Sequence, residues 1–200
     1  TNYSTKRAQQ YQAQLAKATP ISRTRIQELE ANRLSDTVVQ RLKSESDLQG
    51  RVSQTNRIHS LNKELVTYNV LSDTIDEQFI MENRADAEDV ADYLIDYFNM
   101  LLGTYSNEFI NNIEDTRKIS LINDNNMFVG YIVLARRMFE NNIKARDIRK
   151  IIKNIDFSRS NSIWKELNIL DDNENLTDTN KVRKAIKEYF EKMDIGVEIK

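Results

Sequence analysis

The chain reads as a mainly α protein, a helical bundle with either irregular structure or a short hairpin near residues 50–60. Three observations predict this. Only one proline and four glycines occur in 200 residues, so the residues that punctuate turns and sheets are scarce. Apolar residues make up 40% of the sequence, enough to bury a core. From residue 61 onward they recur at spacings of three and four, the period of a helix face.

Ser4–Lys17 is predicted helical with few large apolar residues, and Thr19-Pro20 ends it. Ser22 can cap a second helix that ends near Asn32, and Ser35 can cap a third bearing Val38, Val39 and Leu42. Gly50–Ser60 is the candidate for irregular structure or a short hairpin, given Arg51-Val52 and Arg57-Ile58. Residues 1–50 therefore read as an N-terminal helical segment and 61–200 as a helical domain, with the break in between.

Leu61, Leu65, Tyr68, Leu71, Ile75 and Phe79 form one buried stripe. Val90, Leu94, Tyr97, Leu101 and Tyr105 form another, and the two acidic helices are expected to pair antiparallel. Asn126–Asn141 is apolar all round and reads as the most buried helix. Gly130 inside it costs about 1 kcal/mol relative to Ala, which close approach of a neighbouring helix would offset. Ala145–Asn154 divides into an isoleucine side and a cationic side. Ile163, Trp164 and Leu167 then mark a short helix, with the single Trp assigned to packing. Asp171–Asn175 is a polar turn. Asp178 or Thr179 can cap a last helix carrying Val182, Ile186, Tyr189 and Phe190.

Charge is sorted along the chain. Residues 1–65 hold 11 Lys+Arg against 6 Asp+Glu, residues 66–126 hold 3 against 13, and residues 127–200 hold 15 against 12. Such blocks predict a polarised surface, unless they are ordinary solvated helix faces. The absence of cysteine removes disulfides, thiolate nucleophiles and thiolate-ligated zinc. With no signal peptide and no apolar run of membrane-spanning length, the expectation is a soluble, cytoplasmic protein without a membrane partner.

Catalytic constellations are wanting. His59 is the only histidine and lies in a polar loop without a nucleophile motif, so it reads as a surface residue. Asp171, Asn173 and Asn175 alternate as in a calcium loop. However, Leu176 replaces the glycine that the sharp turn requires, and Val182 replaces the bidentate glutamate. No phosphate loop or dinucleotide fingerprint occurs. The sequence predicts a non-enzymatic protein with no cofactor and no metal site.

Seven cations fall within residues 136–153: Arg136, Arg137, Lys144, Arg146, Arg149, Lys150 and Lys153, opposed by Glu140 and Asp147. Positions 146, 149, 150 and 153 share one helical face, and Lys181, Arg183, Lys184 and Lys187 cluster on the last helix. Cations at fixed spacing on a rigid element suit a phosphate backbone. The candidate DNA contacts are accordingly Arg146, Arg149, Lys150, Lys153 and Arg159, with Lys184 and Lys187. A solvated face that keeps an apolar domain in solution explains the same stripe.

In order, several segments resemble the C-terminal part of the DndB-type, DNA-sulfur-modification-associated proteins, also called the DGQHR-domain family. They are AQQYQAQLAKATPISRTRIQELE at 8–30, Leu48–Val52, NKELVTYNVL at 62–71, Met127–Ala135, IDFSRSNSIWKEL at 155–167, and Thr177–Lys187. The Asp-Gly-Gln-His-Arg motif of that family's N-terminal, ParB-like region does not occur. Either the chain is cut from a longer protein, or it is a phage or mobile-element relative that kept the helical half. The resemblance implies a DNA-binding transcriptional regulator. The alternative is a protein–protein interaction module whose acidic residues 66–126 dock a basic partner or a second copy.

Overall fold

The computed structural model describes residues 33–58, 61, 63–176 and 179–196. The first two expected helices and His59 lie outside the described residues. What is described is mainly α, as the periodicity predicts, with a single two-stranded sheet among the described residues.

Helix α1 spans Leu34–Glu45 and buries Val38, Val39 and Leu42. Its start differs from the expected Ser35 cap. The Asp36 carboxylate turns back and accepts from the Arg33 backbone N–H at 3.1 Å. Ser35 sits buried inside the first turn, its hydroxyl 3.2 Å from that of Ser72. Strands β1 (Val52–Ser53) and β2 (Val66–Thr67) pair in parallel. Of the two expectations for residues 50–60, the described residues fit the irregular one and not the hairpin: Arg57-Ile58 is loop, and β1 finds its partner 14 residues on. The same pairing shortens the expected helix at 61–79. Leu61 is exposed, Val66 and Thr67 are extended, and the Thr67 hydroxyl caps helix α2 (Tyr68–Gln78) by accepting from Val70 N–H.

Helix α3 runs from Arg84 to Thr104 behind a full capping box. Asn83 Oδ1 accepts from the N–H groups of Ala85 and Asp86, and Asp86 returns a bond to Asn83 N–H. A single π-helical turn (Asn107–Asn111) and α4 (Ile113–Ile119) follow. Helix α5 (Met127–Glu140) is the central element, buried at every position from Met127 to Ala135. A 3-10 turn (Ala145–Asp147) leads into the short α6 (Ile148–Ile152), then α7 (Ser162–Glu166) and α8 (Asn180–Glu191).

The expected α2–α3 pair is replaced by a three-helix arrangement. Helix α1 packs on both α2 and α3, while α5 packs on α2 and α8. Helices α5 and α8 run parallel, because Arg183 meets Asn126 at one end and Arg137 meets the Phe190 carbonyl at the other. The close approach expected at Gly130 comes from the Phe190 ring of α8. Trp164 is fully buried, donates from Nε1 to the Asp156 carbonyl at 3.1 Å, and stacks with Phe157.

Candidate nucleic-acid interface

The cationic strip begins where α5 stops. Its last turn closes at Asn141, the chain reverses, and Lys144 leads into the 3-10 turn and α6. Ile148, Ile151 and Ile152 anchor this element to the core. The same periodicity therefore leaves Arg146, Arg149, Lys150 and Lys153 exposed, with Lys144 beside them. Among the described residues Lys144, Arg146, Arg149 and Lys153 make no ion pair. Lys150 Nζ lies 2.9 Å from Asp147 Oδ1. That bond holds the Asp147 carboxyl below its ordinary range, with Arg146 and Lys144 adding to the effect. An exposed pair of this kind is weak and exchanges readily for a phosphate. Asp194 lines a shallow depression with Asp147 and Lys150 and puts a second carboxylate at one edge of the strip.

The other candidate cations do not join this strip. Arg159 is half-buried and braces the backbone: Nε donates to the Arg117 carbonyl at 2.9 Å and Nη1 to the Glu174 carbonyl at 2.8 Å. It ties the end of α4 to the 171–176 turn. Lys187 is ion-paired with Glu77 of α2, and Lys184 Nζ lies 3.8 Å from Glu188 Oε1. Arg136 bridges Glu140 and Glu191 at 2.8 and 2.6 Å. Arg183 meets Asn126 at the opposite end of α5 from the strip, and a 14-residue helix separates its ends by about 20 Å. Helices α6 and α7 have five residues each, too short to serve as a helix-turn-helix pair.

Several acids of the 66–126 block are answered from within. Arg33 contacts Asp73 and Asp76 of α2, and Arg41 contacts Glu88 and Asp92 of α3, at 2.7–3.7 Å. Blocks that are separate in sequence thus interleave in space. The Asp171 carboxylate accepts from the N–H groups of Asn173 and Asn175, the work of a turn. Among the described residues no group of three His, Cys, Asp or Glu side chains is placed to hold a metal ion, and no helix is long and apolar enough to cross a membrane.

Sequence reasoning missed the roles of Arg159, Lys187 and Arg136. The Arg117 and Glu174 carbonyls, Glu77 and Glu191 are brought in from other elements, which spacing does not register; Glu140, at i+4 from Arg136, is the exception.

No family model matches the chain, and no solved structure matches it. The chain is 27% identical over 190 residues to the SPbeta prophage-derived uncharacterized protein YopQ of Bacillus subtilis (strain 168). That match covers 90% of the chain and 41% of the relative, so the chain spans about two fifths of the curated protein it matches.

Proposed function

We propose that this chain is a DNA-associated, non-enzymatic regulatory module of a phage or mobile element. It would bind the phosphate backbone through the Lys144–Lys153 strip. The observation that carries the reading is the strip itself: five exposed cations within ten residues, four of them without an ion pair among the described residues, on an element pinned by three buried isoleucines. Rigid presentation matters because a cation held in place loses less freedom on meeting a phosphate. Likeness to a prophage-derived protein and the DndB-type resemblance of Met127–Ala135 and Ile155–Leu167 support the setting.

Contacts are assigned to Arg146, Arg149, Lys150 and Lys153, with Lys184 at most peripheral. Arg159 and Lys187 are left out, because their charged groups already serve the fold. A short helix with only cationic tips reads charge rather than base edges, so affinity is expected to vary little with sequence. The test is duplex binding followed by anisotropy from low to moderate salt. Arg149→Glu with Lys153→Glu should weaken binding to unrelated duplexes alike. Replacing the same pair by Ala should flatten the log–log salt slope by about one per lost contact. Absence of duplex binding at low salt overturns the reading.

A further inference from the structure

We propose that the cleft between α3 and the chain leaving α5 is a binding site for an apolar anion, a molecule with an aliphatic or aromatic body and a carboxylate head. The site shares Lys144 and Arg146 with the strip above, but its apolar walls lie outside that strip and its test does not involve duplex binding.

Its floor is one face of α3, where Tyr93, Asp96 and Met100 fall at i, i+3 and i+7. Its roof comes from Phe139 and from the turn after α5. Asn142 adopts a left-handed conformation with φ 55°, which Asn tolerates better than most residues, and this turns the chain back over α3. The Tyr93 hydroxyl then donates to the Ile143 carbonyl at 2.9 Å and pins the roof to the floor. Between them lies a cleft of about 870 Å³, a volume within the range of small-molecule sites.

The walls are Tyr93, Met100, Phe139 and Ile143, with Tyr93 and Phe139 meeting edge to face at 5.2 Å. All four are only half-buried, so apolar surface that a ligand could cover still faces the cleft. Charge at the mouth decides which ligand. Lys144 and Arg146 line it and make no ion pair among the described residues. The Glu140 carboxylate is held by Arg136 at 2.8 Å. Asp96 is the one carboxylate of the lining without such a partner. Lys144 and Arg146 make no ion pair of their own, and the nearby Asp147 carboxylate is engaged by Lys150, which favours an anionic head on the Lys144–Arg146 side with the apolar body lying along Tyr93 and Phe139. A neutral or cationic amphiphile would gain the apolar contacts and leave those cations unanswered.

The probes are dodecanoate, 2-naphthoate and dodecyltrimethylammonium below their aggregation concentrations, titrated calorimetrically into the 200-residue chain. A carboxylate should bind saturably at one site, at least tenfold more tightly than the ammonium. The stronger of the two carboxylates identifies the body as aliphatic or aromatic. Lys144→Glu with Arg146→Glu, both exposed, should cost the carboxylate tenfold or more while leaving the thermal midpoint of the free chain unchanged. Met100→Trp should block all three probes by filling the cleft. The proposal is overturned by no saturable carboxylate binding, by equal binding of carboxylate and ammonium, or by undiminished binding in the charge-reversed chain. If Met100→Trp lowers the free chain's thermal midpoint, Met100→Phe serves as the second, smaller blocking variant, and undiminished binding there likewise overturns it.

Discussion

Gly130 of α5 and Phe190 of α8 interlock: a Cβ added to Gly130 would stand 2.2 Å from Phe190 Cδ2 and 2.4 Å from Cε2. The ring cannot swing aside cheaply, because Tyr131 and Tyr189 meet it at 5.7 and 5.5 Å. Gly130→Ala should therefore destabilise the chain although it gains about 1 kcal/mol of helix propensity, since overpacking a core costs about 1–3 kcal/mol. Urea denaturation checks the sign. Pairing it with Phe190→Leu should return part of the loss, and simple additivity of the two substitutions would show that they do not touch.

Two buried tyrosines on neighbouring helices should respond oppositely to loss of their hydroxyls. Tyr131 donates to the Ile122 carbonyl at 2.6 Å, whereas the fully buried Tyr97 hydroxyl has no hydrogen-bond partner among the described residues. An unsatisfied buried polar group costs about 1–3 kcal/mol. Tyr97→Phe should hold or raise the thermal midpoint, and Tyr131→Phe should lower it. A marked loss on Tyr97→Phe would mean that this hydroxyl is satisfied after all.

The same pair sets an alkaline limit. Burial pushes the phenols of Tyr97 and Tyr131 well above their ordinary value of 10.0. A raised folded-state value favours the protonated form in the folded chain. The associated stability is present in full below the unfolded value and is lost as pH climbs toward the folded one. Chemical denaturation at fixed pH should thus show stability falling above about pH 10, by about 1.4 kcal/mol per pH unit for each such tyrosine. Tyr97→Phe should remove one of these contributions and flatten the slope.

Arg159 and Arg149 look alike in sequence and should behave differently. Arg159 spends Nε and Nη1 on the carbonyls of Arg117 and Glu174, so Arg159→Ala leaves two acceptors short and frees the 171–176 turn. Faster amide exchange around Asn173–Asn175 is the expected result, with the salt slope of duplex binding unchanged. Arg149→Ala should lower that slope and leave exchange alone. A reversed pattern would move the interface to the α4 side of the molecule.

What the sequence made legible follows from range. Helix α5, the isoleucine side of α6 and the burial of Trp164 are local patterns, since a helix shows its faces within two turns. The exposed 146–153 strip was legible for the same reason. Strand β2 was not, because Leu65, Tyr68 and Leu71 keep helical spacing while Val66–Thr67 pairs with a strand 14 residues earlier. Lys187 meets an acid 110 positions away, and the cleft over α3 depends on one left-handed Asn142, so neither had a local signature.

Asp36 offers the sharpest stability test. It is 2% exposed, and one carboxylate oxygen accepts from the Ser72 hydroxyl at 2.5 Å and the Tyr68 hydroxyl at 3.1 Å, while the other takes the Arg33 backbone N–H. One side chain thereby starts α1 and joins it to α2. Asp36→Ala removes the acceptor shared by the Ser72 and Tyr68 hydroxyls and the one that takes the Arg33 N–H, a loss of about 1–3 kcal/mol. Asp36→Asn keeps the shape and one acceptor oxygen, so it should retain part of the stability. Urea midpoints should rank the wild type above Asn and Asn above Ala. If Ala and Asn were equally destabilised, the carboxylate charge and not its hydrogen-bond geometry would be what joins the two helices.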